Sequence, residues 1–161
     1  LREGRVDCAL VSADPGDPNL NCTRLADIQP VVIVPLDDRR AQDTQISAAD
    51  LATTPQLMLP PGSPFRRAVE HMFDREGVPF HVRAVARTQT ALVGMVAEGA
   101  GRAIVDQSVL ATTHKARVAA LTLTSDLQWP IRLVAFSASH DTSGLRLFLE
   151  ELRKVSEPMT P

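Results

Sequence analysis

Short apolar runs alternate along this chain with segments in which apolar residues recur every three or four positions. The runs are typical of buried strands, and the helical spacing is typical of amphipathic helices. Strands are predicted at 6–12, 31–35, 56–59, 80–86, 102–105, 118–124 and 131–137, and helices at 47–52, 64–76, 89–98, 107–113 and 144–155. Strands that alternate with helices in this way predict an α/β fold with mostly parallel strands.

The segment GSPFRRAVEHMFDREG contains the clearest helix of the sequence. Ser63 stands in the position of an N-cap, and Pro64 occupies the first helical position, where its missing N–H costs nothing. Gly77 is expected to end the helix. The side chains predicted to be buried on one face are Phe65, Val69, Met72 and Phe73. In the C-terminal segment the corresponding apolar face consists of Leu145, Phe148, Leu149, Leu152 and Val155.

The stretch TQTALVGMVAEGAGRAIVDQSV, residues 88–109, places a helix directly before a strand. Gly99 is expected to end the helix with a positive φ, and Gly101 lets the backbone turn into the strand. Asp106 then stands at the carboxyl end of that strand. The buried face of the helix is predicted to consist of Leu92, Met95 and Val96. Such a sharp change from helix to strand is typical of the repeating unit of an α/β sheet.

Composition narrows the class of protein. With 161 residues, 44% of them hydrophobic, the chain is long enough for one domain or two small lobes with a real core. No apolar run approaches the ~20 residues that a membrane span requires. The net charge of −2 and the lack of a basic cluster argue against nucleic-acid binding. We therefore expect no membrane insertion, and no DNA binding by this chain itself.

No arrangement of reactive side chains predicts an enzyme. Cys8 and Cys22 have no nearby histidine, and the four histidines lack the spacing of metal ligands. Ser63 follows a predicted strand, but the sequence places no histidine beside it to act as a base. We therefore expect no catalytic residue, no metal site and no cofactor.

Polar residues collect where predicted strands lead into helices. Gly62 and Ser63 open one helix, Arg87, Thr88 and Gln89 open the next, and Ser12 ends the first strand. Helix N-termini offer unpaired N–H groups and the positive end of the helix dipole, so they favour a small anion such as a carboxylate. The alternative is that these residues only cap two ordinary helices. The spacing alone leaves both interpretations open.

Several segments occur in an order that is more specific than any of them alone. LREGRVDCALVS is followed by VVIVPLDDRRA and then by a long stretch that ends in VAEGAGRAIV. This order resembles the effector-binding domain of LysR-type transcriptional regulators. The residues that match the family pattern are Gly4, Asp7, Asp50, Leu51, Pro55, Gly62, Ser63, Val96, Gly99 and Gly101. The chain departs from the pattern where Asp106 replaces the usual proline and where DDRRA replaces the usual HPLA.

The resemblance implies the fold of type 2 periplasmic binding proteins, in which two Rossmann-like α/β lobes are joined by two crossover strands. Lobe I would contain residues 1–53 and 128–161, and lobe II would contain residues 54–127. The family's domain begins before the position of Leu1. We therefore expect the first strand and helix of lobe I to be missing here, together with the winged helix-turn-helix and its linker helix.

The resemblance also implies a function. The chain would sense a small, anionic effector held between the lobes by Ser12 and Val34 from lobe I and by residues 62–63 and 87–89 from lobe II. We expect a cytoplasmic homodimer or higher oligomer that contacts DNA only through the missing winged helix-turn-helix. A solute-binding domain of a transport system with the same fold is the alternative. A signal peptide before Leu1 would favour that alternative, and a helix-turn-helix would favour the regulator.

Overall fold

The computed structural model describes residues 1–112, 117–136, 144, 147–148 and 150–152. The strands within them are β1 (Cys8–Val11), β2 (Leu20–Ile28), β3 (Pro30–Pro35), β4 (Gln45–Ser47), β5 (Gln56–Met58), β6 (Val82–Val85), β7 (Arg102–Asp106), β8 (Val118–Thr124) and β9 (Trp129–Phe136). The helices are α1 (Ala48–Ala52), α2 (Pro64–Arg75), α3 (Gln89–Ala97) and α4 (Val109–Thr112). The predicted α/β class is confirmed.

The chain divides into two units. The first unit consists of Leu1–Asp27 and Pro130–Pro161, and the second consists of Ile28–Trp129. The resemblance assigns residues 28–53 to the same lobe as the two ends of the chain, whereas in the structure they lie in the second unit. The reason is β3, which forms ladders with both β7 and β8. Pairing between strands that are far apart in sequence leaves no local signal.

The second unit is built on a six-stranded sheet with the order β4-β8-β3-β7-β5-β6. β5 runs parallel to β6 and β7, and β4 runs parallel to β8. β3 is antiparallel to both of its neighbours, so the expectation of mostly parallel strands holds for the outer strands but is wrong at the centre of the sheet. All six residues of β3 are buried. A β-branched run such as VVIV suits a strand that is covered on both faces.

α2 packs on this sheet through the face that the sequence predicts. Phe65, Val69, Met72 and Phe73 are at most 2% exposed, which confirms the prediction. The rings of Phe65 and Trp129 pack edge-to-face with their centroids 5.0 Å apart, and the ring centroids of Phe73 and Phe80 are 4.7 Å apart. Gly77, with φ of +66°, ends the helix as predicted. The amphipathic pattern therefore fixes how this helix faces the core.

α3 also begins and ends where the sequence indicates. Leu92 and Val96 are fully buried, Val93 joins them at 4% exposure, and Met95 is half-buried rather than buried. Gly99 has a φ of +78°, and a Cβ atom added there would meet nothing within 4 Å. The backbone conformation, not crowding, is what requires glycine at this position. The predicted end of the helix is confirmed.

An ion pair explains one departure from the family pattern. Asp38, which lies in the DDRRA segment after β3, accepts hydrogen bonds from Nε of Arg102 at 2.8 Å and from Nη2 at 2.9 Å. The two side chains are only 14% and 7% exposed. Burial opposes ionisation of Asp38, but the Arg102 guanidinium and the N–H of Arg40 outweigh it and lower the pKa of the carboxyl group. The pair thus fastens the loop after β3 to the start of β7.

The first unit contains a three-stranded sheet with the order β1-β9-β2. β1 and β9 are antiparallel, and Cys8 pairs with Ala135. β2 was not predicted, because Asn21, Arg24 and Asp27 interrupt its apolar residues. Most of the predicted C-terminal helix, including Leu145, Leu149 and Val155, lies outside the described residues. Gly144, Leu147, Phe148 and residues 150–152 are helical.

Candidate functional site

Two helices of the second unit begin at the same edge of the sheet. β5 and β6 are parallel neighbours, and α2 follows β5 while α3 follows β6. The N–H of Ala86 donates to the carbonyl of Met58 at 3.0 Å, so the two chains stay together up to the turns that precede the helices. Because both helices start beyond the carboxyl ends of adjacent strands, their N-termini open toward one region.

Ser63 occupies the N-cap position of α2, but its side chain does not cap the helix. The backbone there has φ −57° and ψ 130°, and no side-chain hydrogen bond caps the first turn. Within the described part of the chain, the Ser63 hydroxyl makes no hydrogen bond, and the side chain is half-buried. The predicted position is therefore confirmed and the predicted capping bond is wrong. The hydroxyl is free to bind a ligand.

Gly62 and Arg66 hold the turn before α2 in place. Gly62 is exposed and has a φ of +86°, a conformation that side chains disfavour. Arg66 donates from Nε to Glu70 at 2.7 Å and from Nη1 to the carbonyl of Leu59 at 3.1 Å. Its charge is thus committed to the helix and the turn. Arg66 therefore links the first turn of α2 to the end of β5.

Thr88 caps α3, which is one of the two roles that the sequence leaves open for it. Its Oγ1 accepts a hydrogen bond from the N–H of Ala91 at 3.1 Å. Arg87, directly before it, is exposed. The hydroxyl of Thr88 can still donate to a ligand, since the cap uses it only as an acceptor.

Gln89 links α3 to the end of β7. Its Oε1 accepts from the backbone N–H of Asp106 at 2.6 Å, and the Asp106 carboxylate in turn accepts from the N–H of Ser108 at 2.7 Å. The usual proline at position 106 would have no N–H to donate. The side-chain oxygen of Gln89 is therefore already hydrogen-bonded. Although Gln89 is one of the predicted ligand-binding residues, this oxygen serves to connect α3 to β7.

In the first unit, Ser12 follows β1 and lies beside an arginine that the sequence analysis did not single out. The carbonyl of Ser12 accepts a hydrogen bond from Nη1 of Arg132 at 2.9 Å, and both residues are half-buried. Cys22 lies in the same neighbourhood. Burial and the nearby Asp14 raise the pKa of the Cys22 thiol, while the positive charge of Arg132 acts in the opposite direction. One end of this sheet is therefore polar and carries a cation.

Val34, the last predicted ligand-binding residue, belongs to the core. It is completely buried in β3, where it pairs with Ala119 of β8. It lies in the second unit, whereas the resemblance implies a place in the same lobe as Ser12. A side chain enclosed in this way contributes to packing of the sheet.

The structure offers no sign of metal chemistry in the residues it describes. Among them, no three His, Cys, Asp or Glu side chains are grouped so that they could hold a metal ion. Cys8 and Cys22 are both free and half-buried. No helix within the described ranges combines the length and apolarity that a membrane span needs.

The family of the chain follows from its sequence. The family model of the LysR substrate binding domain matches residues 1–157. The chain belongs to this family. No curated protein sequence matches it.

Solved structures of LysR proteins share the fold of this LysR substrate-binding domain. HinK, a LysR family transcriptional regulator from Pseudomonas aeruginosa, has a TM-score of 0.84 at 20% identity, over 99% of this chain and 56% of that one. The regulatory domain of Synechocystis PCC6803 CcmR, in complex with 2-PG, has a TM-score of 0.84 at 23% identity, over 98% and 77%. The BenM effector binding domain with benzoate has a TM-score of 0.81 at 22% identity, over 96% and 71%. The chain thus spans little more than half the length of HinK, and its fold is that of a periplasmic-binding-protein-like LysR domain.

Proposed function

We propose that the chain is the effector-sensing part of a LysR-type DNA-binding transcriptional regulator. The observation that carries the proposal is the match of the LysR substrate binding domain model to residues 1–157. The CcmR, QuiR and BenM domains of similar fold contain 2-PG, shikimate and benzoate, respectively. By analogy, we infer that this chain also binds a small molecule.

The ligand that we propose is a small anionic metabolite. The N-termini of α2 and α3 supply N–H groups and two positive dipole ends, which favour negative charge. The unused hydroxyl of Ser63 and the donor capacity of Thr88 add neutral hydrogen bonds. Arg87 is exposed beside them and adds a positive charge. Ser12 is the residue that we propose for the first unit.

In the intact regulator, binding would change the activity of a DNA-binding domain. A ligand can do this only to the extent that it prefers one conformation over another. We propose a cytoplasmic homodimer or higher oligomer that contacts DNA through a separate winged helix-turn-helix. A solute-binding domain of a transport system is the alternative. The parent gene decides between them, because a helix-turn-helix encoded before Leu1 supports the regulator and a secretory signal there supports transport.

Two substitutions test the ligand site. Thr88→Ala removes a real cap and is expected to cost about 1 kcal/mol of stability, whereas Ser63→Ala removes no cap and should change stability by less than about 0.5 kcal/mol. Each should weaken effector binding roughly tenfold, because a hydrogen bond to a charged group contributes about 1.5 to 3 kcal/mol. The effector is first identified by a thermal-shift screen of metabolites, and affinities are then measured by calorimetry.

Ser47→Ala is the matched control. The hydroxyl of Ser47 caps α1 by accepting from the N–H of Asp50 at 3.2 Å, so this variant should lose about as much stability as Thr88→Ala. It should nevertheless bind the effector with unchanged affinity. If Ser63→Ala and Thr88→Ala bind as tightly as Ser47→Ala, both residues are ordinary helix-start residues and the proposed site is wrong.

A further inference from the structure

Arg132 differs from the other partly or fully buried arginines in the part of the chain that the structure describes. Arg40, Arg66 and Arg102 each form an ion pair with a carboxylate. Arg132 is half-buried, and among the described residues the only hydrogen bond of its side chain goes to the carbonyl of Ser12. A cation that is partly removed from water is costly unless a negative charge compensates it. The described part of the chain gives three such arginines a carboxylate partner and forms no ion pair with the fourth.

The position of Arg132 fixes the direction of its remaining donors. It stands near the start of β9, opposite Val11, the last residue of β1. The bond from Nη1 to Ser12, 2.9 Å long, holds the guanidinium at the carboxyl end of β1. The Nε–H and one Nη2–H of a guanidinium lie side by side and match the two oxygens of a carboxylate. In Arg132 these two groups have no partner among the described residues.

We propose that Arg132 binds a carboxylate group of the effector side-on through Nε and Nη2, with the Ser12 carbonyl as the anchor that orients it. This inference rests on the proposed function, since it names the chemical group that the first unit recognises. The charge of Arg132 is felt locally, because it opposes the rise in the pKa of Cys22. Ser12 thus contributes its backbone carbonyl, while Arg132 supplies the charge.

A purely structural role for Arg132 makes a different prediction. A structural link consists of the single hydrogen bond from Nη1 to the Ser12 carbonyl, and losing it costs little because water can replace it at this half-buried position. Arg132→Gln should therefore keep the stability of the protein and lose anion binding if the proposal holds. Arg132→Lys keeps the charge but cannot present two parallel N–H groups, so it should bind a carboxylate at least about tenfold more weakly. Arg5→Lys is the control, because Arg5 is an exposed arginine of the same unit.

The experiment uses the whole chain and sodium acetate as the probe. Arginine Nε–H signals are followed in ¹H–¹⁵N spectra while acetate replaces chloride at constant ionic strength, and inorganic phosphate is titrated in a second series. The Arg132 signal, assigned by its absence in Arg132→Gln, is expected to shift saturably with acetate. Because Arg132→Lys has no guanidinium signal, the variants are compared through the backbone N–H signal of Ala13, next to the Ser12 carbonyl. Arg132→Lys should weaken acetate binding at least about tenfold, and Arg5→Lys should leave it unchanged. Saturation with phosphate alone would overturn the assignment to a carboxylate.

Other outcomes separate this inference from the proposed function. An Arg132 signal that no anion shifts, with Arg132→Gln unstable, would show a structural role and overturn the inference. If a screened effector binds and Arg132→Lys changes its affinity by less than twofold, the inference fails while the sensing function stands. If acetate binds at Arg132 but no metabolite alters DNA binding by the parent protein, the sensing function fails and the anion site remains.

Discussion

Replacing Asp38 by asparagine is expected to cost the second unit about 3 kcal/mol of stability at pH 7. The change keeps the shape of the side chain and removes its charge. Arg102, whose side chain is 7% exposed, would then be a buried cation without a counter-ion. Breaking a buried ion pair from one side costs roughly 3 to 5 kcal/mol, and the remaining hydrogen bond from Arg102 to the amide oxygen favours the lower end of that range.

Urea unfolding followed by tryptophan fluorescence measures this loss. Trp129 is the single tryptophan of the chain and packs edge-to-face on Phe65, so its emission reports unfolding of the second unit. Asp126→Asn is the control, because Asp126 pairs with Arg75 at the surface, where the side chains are 73% and 58% exposed. Exposed pairs contribute about 0 to 1 kcal/mol. Asp38→Asn should therefore lose clearly more unfolding free energy than Asp126→Asn.

The pH dependence gives an independent check. The folded protein lowers the pKa of Asp38, so the stabilisation is present above the ordinary aspartate pKa and is lost as the pH falls through the lower, folded value. The difference between wild type and Asp38→Asn should therefore shrink in acid. The double variant Asp38→Asn, Arg102→Leu should recover stability relative to Asp38→Asn, because no charge then stays buried alone. A loss below about 1 kcal/mol at pH 7, or one that persists unchanged in acid, would refute this reasoning.

Two further predictions concern glycines and a thiol. Gly94→Ala should raise stability by about 0.5 to 1 kcal/mol, because Gly94 is an exposed residue inside α3. Gly99→Ala should lower stability by about 1 kcal/mol, because the φ of Gly99 is +78°. Thermal melts compare the two variants, and equal effects would show that α3 does not end at Gly99. In a Cys8→Ser background, Arg132→Gln should move the alkylation profile of Cys22 to higher pH, because the guanidinium lowers the pKa of that thiol. An unchanged profile would show that the guanidinium does not act on the thiol.

Local signals in the sequence predicted the helices well. Pro64 and Gly77 mark both ends of α2, and Gly99 marks the end of α3. Such residues act through the backbone within one turn, so their effect can be read without knowing the fold. β4, with three residues, was too short for any periodic pattern to reveal. The central antiparallel position of β3 depends on strands that follow it by some seventy residues or more, and no local signal carries that information.

The candidate site was only partly readable from sequence for a similar reason. The sequence places both Ser63 and Thr88 at helix starts, where either could be a cap. Only the hydrogen bonds show that Thr88 caps its helix and Ser63 does not. The sequence gives no sign that Gln89 is engaged, because its partner Asp106 lies seventeen residues away. Arg132 lies in an ordinary strand sequence, IRLV, and only its neighbours in the structure identify it as a candidate ligand-binding residue. Side-chain partners that come from other elements decide which polar groups remain free.

The division of the chain has a consequence for its synthesis on the ribosome. The second unit is one continuous segment, Ile28–Trp129, whereas the first is made from both ends of the chain. β1 emerges from the ribosome before the second unit, but its pairing partner β9 follows that unit in the chain, since Cys8 pairs with Ala135. Domains usually fold as units once their sequence has emerged. The second unit can therefore fold while β1 is still unpaired, and a nascent chain stalled once Trp129 has left the exit tunnel should already contain a protease-resistant second unit.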